Sequence, residues 1–219
     1  MARERPSTIA RTIVAAGISL AATVFWPGAA ASDPAPRALA SELRITLGDL
    51  GRLGAEGLPP RHAEGLVARI EGALGLLPWL LTGAGDAAGA AALAAWQGAD
   101  LEPAGQRAAL TALVGELAAR HRLDLFARTA IAPPGAGLAE AQAIHETYCF
   151  GCHDDYGMGD PDEPLPSRDL RLMAQEEPGD IFLARLIGGV KGDESIAFHN
   201  PLTEAQILAL YAYYQRPAP

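Results

Sequence analysis

Apolar residues recur at helical spacing along residues 38–126, with little of the alternation that predicts strands. The clearest segment is PPRHAEGLVARIEGALGLLPWLL, in which Pro59 and Pro60 suit a helix start. Its apolar residues share one face of the predicted helix: Leu66, Ile70, Leu74 and Leu77. Pro78 is expected to kink or end this helix, because proline lacks the backbone donor that the next turn needs.

A second apolar stripe predicts a helix in the segment PAGQRAALTALVGELAARH. The stripe consists of Leu110, Leu113, Val114 and Leu117. Shorter helical patches cover about 38–53 and 86–97. Four helices joined by Gly-, Pro- and Asp-rich turns predict a helical bundle domain over residues 38–130, and a Pro/Gly linker at 131–136 ends it.

The pattern changes in the second segment, residues 137–217. A short helix, LAEAQAIHETY, opens it and another, LTEAQILALYAYYQ, closes it, with an Asp-, Gly- and Pro-rich stretch between them. Thr203 followed three residues later by Gln206 predicts a capping box on the closing helix. The whole pattern therefore predicts an all-α fold of two domains.

The first residues of the chain differ in kind from the rest. Three arginines precede an uncharged apolar run, TIVAAGISLAATVFW, which is short for a membrane span of about 20 residues. Ala29 and Ala31 follow at the spacing of an A-x-A cleavage site. We interpret 1–31 as a signal peptide and 32–37 as a leader, with an uncleaved anchor as the alternative. The mature protein is expected to be periplasmic or otherwise exported, with no stable membrane span.

Charge narrows the range of partners. The formal net charge is −9, and removing residues 1–31, with three Arg and one Glu, makes it −11. Such an acidic protein is not expected to bind nucleic acid through its overall field. Redox protein partners with basic surfaces would suit it, and the acidic stretch DDYGMGDPDE could be their docking patch, a calcium site or a solvated loop.

The chemistry of the chain is concentrated in the sequence CFGCH. The only two cysteines, Cys149 and Cys152, lie there with His153 directly after them. A redox-active disulfide is one interpretation, although no strand pattern precedes Cys149 as it does in thioredoxin-like proteins. A structural zinc site is another, but it usually takes four ligands and this motif supplies three. A chance match is the third alternative.

Covalent attachment of one haem c accounts for all three residues. Thiols at positions i and i+3 can reach the two vinyl groups on one side of a porphyrin and form thioethers. His153 would then lie under the ring and give an imidazole nitrogen to the iron. Export agrees with this interpretation, because the haem is joined to such proteins outside the cytoplasm.

Residues 137–217, a bit over a third of the chain, resemble a class I mono-haem cytochrome c domain. The resemblance rests on the helix that runs into CFGCH, the following YGMG and the final LTEAQILALYAYY helix. It implies that the first and last helices cross near one haem edge, with Ala141 and His145 near Leu210 and Tyr213. The family usually has glycine and an aromatic residue at the first two of these positions.

The resemblance also implies the surroundings of the iron. In the family a proline carbonyl after the motif accepts a hydrogen bond from the ligand histidine, and Pro164 and Pro166 are the candidates here.

The family's sixth ligand is a methionine shortly before the last helix, a position that falls at or near Ser195 in this chain. His199 is the first replacement, Met173 the second and an open or water-bound iron the third. Met158 is discounted, because it lies only five residues from His153.

These features predict an electron carrier rather than a stand-alone catalyst. One alternative is a haem-bearing subunit of a larger periplasmic oxidoreductase, docked through the bundle at 38–130. Another is a haem sensor or enzyme with an open iron site. The bundle itself carries no catalytic motif that we recognise.

Overall fold

The structure is a computed structural model, and it describes residues 34–129, 137–153, 162–189 and 200–216. All regular elements in these ranges are helices, which confirms the all-α prediction. The predicted signal peptide and linker lie outside the described residues, and the division into two domains stays a prediction. Residues 34–37 of the predicted leader are described, and they belong to a helix that begins at Pro34.

The first described range contains α1 (Pro34–Leu53), α2 (Pro60–Gly83), α3 (Ala87–Ala94), α4 (Ala104–Arg120) and α5 (Asp124–Thr129). The later ranges contain α6 (Leu138–Ile144), a π-helical turn (His145–Cys149), α7 (Phe150–His153), α8 (Leu170–Glu176), α9 (Gly179–Gly188) and α10 (Glu204–Tyr214). The four predicted helical patches of the N-terminal segment form helices α1 to α4, whereas α5 and α9 were not predicted.

Helices α1 to α4 enclose an aliphatic core, which we call core 1. It includes the predicted stripe of α4 and that of α2 except Leu66, which is buried outside this core, together with leucines of α1 and α3. Its most buried members are Leu39, Leu43, Ile70, Leu74, Leu77, Leu81, Leu93, Leu110, Val114 and Leu117. By length and composition alone α2 could also cross a membrane, a test that the core helices of soluble proteins pass as well.

Helix α2 does not end at Pro78 but continues to Gly83. Proline removes the donor that would bond to the carbonyl of Leu74, one turn earlier. The side-chain amide of Gln97, after α3, donates to that carbonyl at 3.1 Å. The proline is therefore tolerated inside the helix, because a distant side chain satisfies the acceptor that it frees.

The C-terminal helices form a second core, which we call core 2, between α6, α8, α9 and α10. Its members are Ala141, Ile144, Leu170, Met173, Ala174, Phe182, Ala209, Leu210 and Tyr214. The predicted capping box is present at the start of α10, where Thr203 and Gln206 bond reciprocally.

A third cluster, core 3, joins the two segments. Residues of α1 and the α4–α5 region pack there against α9 and α10: Ala40, Ile45, Leu123, Leu125, Leu183, Ala184, Ile187 and Ile207. The approach is close, because a Cβ added to Gly188 would lie 2.7 Å from Ile45 Cδ1. Helix α9, which the sequence did not reveal, packs closely against α1, while α10 and the loop at Pro164 also contact the N-terminal helices.

Candidate haem-attachment site

The CFGCH motif lies at the end of one continuous helical segment. Helix α6 passes into the π-helical turn and then into α7, and the residues at both junctions, His145 and Phe150, keep right-handed helical backbone angles. A π-helical turn inside an α-helix is uncommon and is often found at functional sites. The turn ends at Cys149, so the irregularity directly precedes the motif.

The two cysteines lie on one side of this helix, since residues three apart are neighbours on a helical surface. Cys149 is half-buried at the edge of core 2, and Cys152 is exposed. Neither thiol takes part in a disulfide in the part of the chain that the structure describes. His153, half-buried, follows Cys149 by four residues and therefore belongs to the same side.

One hydrogen bond orients the His153 ring. Its Nδ1 lies 2.7 Å from the carbonyl oxygen of Arg168. A carbonyl oxygen can only accept, so Nδ1 carries the proton and the lone pair is on Nε2. The imidazole thus has the tautomer of a histidine that offers Nε2 to a metal.

The acceptor is therefore a backbone carbonyl in the loop after the motif, as the resemblance implied, but it belongs to Arg168 rather than to Pro164 or Pro166. Pro166 is buried and Pro164 is exposed. The carbonyl of Pro164 instead faces helix α2, where it lies directly over Gly65.

Ion pairs fix the side chain of Arg168, whose backbone carbonyl accepts the His153 bond. Its side chain is only 7% exposed, and it donates to Glu177 Oε1 at 2.8 Å and Glu176 Oε2 at 2.9 Å. Among the residues that the structure describes, its buried Nε–H has no acceptor. An arginine fixed at both guanidinium ends keeps the carbonyl that bonds His153 in one place.

The first and last helices of the segment, α6 with its π-helical turn and α10, contact each other at His145. His145 is 4% exposed, and its Nδ1 lies 2.9 Å from the hydroxyl of Tyr214. The ring of Tyr213 is 5.7 Å from that of His145. His145 thus packs against the rings of α10 and is also tied to that helix by a hydrogen bond.

Of the predicted sixth ligands, His199 lies outside the described residues. Met173 is buried in core 2 between α8 and its neighbours. The choice between them stays a prediction.

Large apolar side chains flank the motif on the surface. Tyr148, just before the motif, is 77% exposed, and Phe150, inside it, is also exposed. Exposed apolar groups placed together are typical of a surface that a ligand or partner covers.

No family model, no curated protein and no solved structure matches this chain. Within the described ranges, no group of three or more His, Cys, Asp and Glu side chains is arranged to hold a metal ion. The assignment of the motif therefore rests on the sequence and on the geometry of this site.

Two features of the site were missed by sequence reasoning. The carbonyl of Arg168 has no signal in the sequence, because every residue carries one. The carboxylates that hold Arg168, Glu176 and Glu177, lie at the end of α8 and look in the sequence like ordinary surface charges. A helix N-cap at Asp169, whose side chain accepts from Leu172 N at 2.8 Å, is the nearest local signal that this loop is ordered.

Proposed function

We propose that this protein is an exported c-type cytochrome, in which residues 137–217 form a class I-like domain with one covalent haem c. Cys149 and Cys152 would hold the haem as thioethers, and His153 would be the proximal iron ligand. When bound, the haem supplies an iron that takes up and releases a single electron. The protein would act as an electron carrier for redox partners with basic surfaces.

The observation that carries this proposal is the bond from His153 to Arg168. A metal-bound histidine usually donates its other ring N–H to a carbonyl or carboxylate, which fixes the ring and raises its basicity. His153 makes this bond from Nδ1 at 2.7 Å. It thereby keeps Nε2 for the iron.

The donor set fits a haem better than it fits zinc. A haem needs two thiols on one side of a helix and one imidazole, all of which Cys149, Cys152 and His153 supply. A structural zinc site needs about four converging ligands, and the described residues hold no such group. The unpaired Nε–H of Arg168 and the exposed Tyr148 and Phe150 suit a bound group with both polar and apolar surface.

The test is the removal of the thiols. The double variant Cys149→Ala, Cys152→Ala, expressed with export and cytochrome c maturation, should lose covalent haem, as judged by haem staining after denaturing electrophoresis. Tyr148→Ala is the matched control, because this exposed residue adjoins the motif and should leave the stain unchanged. Haem that stays on the double variant through denaturation would refute the assignment.

The sixth ligand remains His199, with Met173 as its alternative and an open iron as the third. The absorption spectrum of the purified, full-length protein separates them. A near-infrared methionine–iron charge-transfer band would exclude His199, and a high-spin spectrum would indicate an open site. Carbon monoxide that bound the reduced protein rapidly and stoichiometrically would contradict a simple electron carrier.

A further inference from the structure

A network of buried ion pairs connects the N-terminal helices to the loop that holds His153. It starts at Asp49 of α1, which is 1% exposed. Asp49 accepts from Arg69 Nε of α2 at 2.6 Å and from Arg185 Nη2 of α9 at 3.0 Å. One carboxylate therefore fixes two helices to α1.

The network continues from α9 to the site. Arg185 Nε donates to Glu177 Oε2 at 2.6 Å, and Arg168 donates to the other oxygen of Glu177 at 2.8 Å. Arg168 then accepts the His153 bond through its carbonyl. We call Arg69, Asp49, Arg185, Glu177 and Arg168 the ion-pair network.

The network is buried, so each of its charges depends on its neighbours. A buried charge that loses its partner must regain solvation, either by moving toward water or by finding another acceptor. Burial alone would lower the pKa of Arg185, but Asp49 and Glu177 outweigh it and hold the pKa above its usual value. Loss of Asp49 is therefore expected to displace Arg185, and with it Glu177 and Arg168.

Two close contacts also connect the N-terminal helices to Arg185 and to the loop that contains Arg168. A Cβ added to Gly48 would lie 2.7 Å from Arg185 Nη2, so α1 lies directly against this arginine. A Cβ added to Gly65 would collide with the carbonyl group of Pro164, so α2 lies directly behind the loop of Arg168. The N-terminal helices contact this loop through both charge and backbone packing.

We propose that Asp49 is a positioning residue for His153, and that α1 and α2 set the strength of the hydrogen bond at its Nδ1. This inference rests on the proposed haem function. A stronger bond at Nδ1 makes the imidazole a more basic ligand and stabilises ferric over ferrous iron. The N-terminal helices would thus help to keep the reduction potential low.

The test compares two Asp→Asn variants of the full-length, haem-loaded protein. Asp49→Asn should retain covalent haem but shift the reduction potential to more positive values and weaken the His153 Nδ1–H hydrogen bond, seen by NMR as faster proton exchange. Asp180→Asn is the control: Asp180 also pairs across the α1–α9 contact, with Arg44 at 3.1 Å, but has no link to Arg168. It should leave the potential and the Nδ1 proton unchanged.

A second variant tests the route itself. Glu177→Gln should shift the potential in the same direction as Asp49→Asn. The double variant should shift it less than the sum of the two, because both changes act through Arg168. If Asp49→Asn does not fold, Arg69→Lys is expected to give a smaller shift in the same direction, since lysine keeps the charge but not the paired geometry.

Equal potentials and equal Nδ1 exchange in Asp49→Asn and Asp180→Asn, with haem retained in both, would overturn this inference alone. Absence of covalent haem from the unmutated, matured protein would overturn the proposed function and the inference together.

Discussion

Core 1 and core 2 differ in the kind of side chain that they bury. The buried members of core 1 are all aliphatic. Core 2 includes Phe182 and Tyr214, and the buried, hydrogen-bonded His145 lies beside it. Aliphatic side chains pack without polar requirements, whereas buried rings with hydroxyl or imidazole groups need partners in fixed places. We therefore expect core 1 to contribute mainly to the stability of the fold. Core 2 also orients polar side chains near the CFGCH motif.

Core 3 and the ion-pair network both contain residues of the two segments, and they add to the limited core that the C-terminal segment has by itself. A segment of about 80 residues buries a limited apolar area by itself. In the C-terminal segment, part of the buried surface belongs to the aromatic and polar groups around His145. Packing of α9 against α1 adds apolar contacts, and Asp49 adds a charge pair with Arg185. Through these contacts the N-terminal segment adds buried apolar area and an ion pair to the C-terminal segment, which contains the CFGCH motif.

The largest effect is expected where the cores meet. Leu183 of α9 is fully buried in core 3, and Leu183→Ala should cost about 2–5 kcal/mol of unfolding free energy through the cavity that it leaves. Tryptophan fluorescence, to which Trp96 beside core 1 contributes, and haem absorbance should show the same lowered denaturation midpoint.

The matched control is Leu76→Ala, a half-buried α2 residue outside the three cores, which should cost clearly less. Two separate transitions, with only the haem signal shifted, would show that the segments unfold independently.

The next effect tests how closely α2 supports the loop. Gly65→Ala introduces a methyl group into the carbonyl of Pro164, which is backbone and must move with its loop. Overpacking of this kind typically costs about 1–3 kcal/mol. Thermal unfolding and the visible spectrum should both change.

Gly72→Ala in the same helix is the control, because nothing lies within 4 Å of its added Cβ. Replacing an exposed helical glycine by alanine should instead stabilise by about 0.5–1 kcal/mol. A Gly65→Ala protein as stable as Gly72→Ala would mean that α2 does not press on this loop.

The smallest expected change is an increase, rather than a decrease, in the free energy of unfolding. Arg52 has its pKa lowered to about 10, first by burial and then by the positive charges of Arg168, Arg185 and Arg69. A base whose pKa falls on folding destabilises the folded state. The full penalty applies below about pH 10 and disappears as the pH rises toward the usual pKa of arginine. Arg52→Gln should therefore raise the unfolding free energy by roughly 0.5–1 kcal/mol at neutral pH.

Denaturant titration measures this difference. Arg61→Gln, which removes an exposed arginine paired only with Glu64 on the surface, should change it by less than about 0.5 kcal/mol. A loss of stability in Arg52→Gln would mean that an anion neutralises this arginine cluster in the protein.

The sequence was most informative where a local rule applies. The stripes of α2 and α4 and the capping box at Thr203 follow from spacing, and the structure has them. The predicted nearness of His145 to Tyr213 is also present, with the two rings 5.7 Å apart. Pro78 was expected to kink or end α2; the ending was wrong, because the helix continues to Gly83 and Gln97 satisfies the freed carbonyl from another element. Helix α9 was missed because its segment lies in an Asp-, Gly- and Pro-rich region.

By itself, the sequence determined that this protein is helical and that its cysteines and His153 share one side of a helix. These properties depend on residues within a few positions of each other, where helical periodicity relates spacing to geometry. The tertiary structure alone decided which carbonyl bonds His153 and which acid holds Arg185. Asp49 and Arg185 lie 136 residues apart, and a backbone carbonyl has no side-chain identity, so neither contact has a local pattern from which it could be predicted.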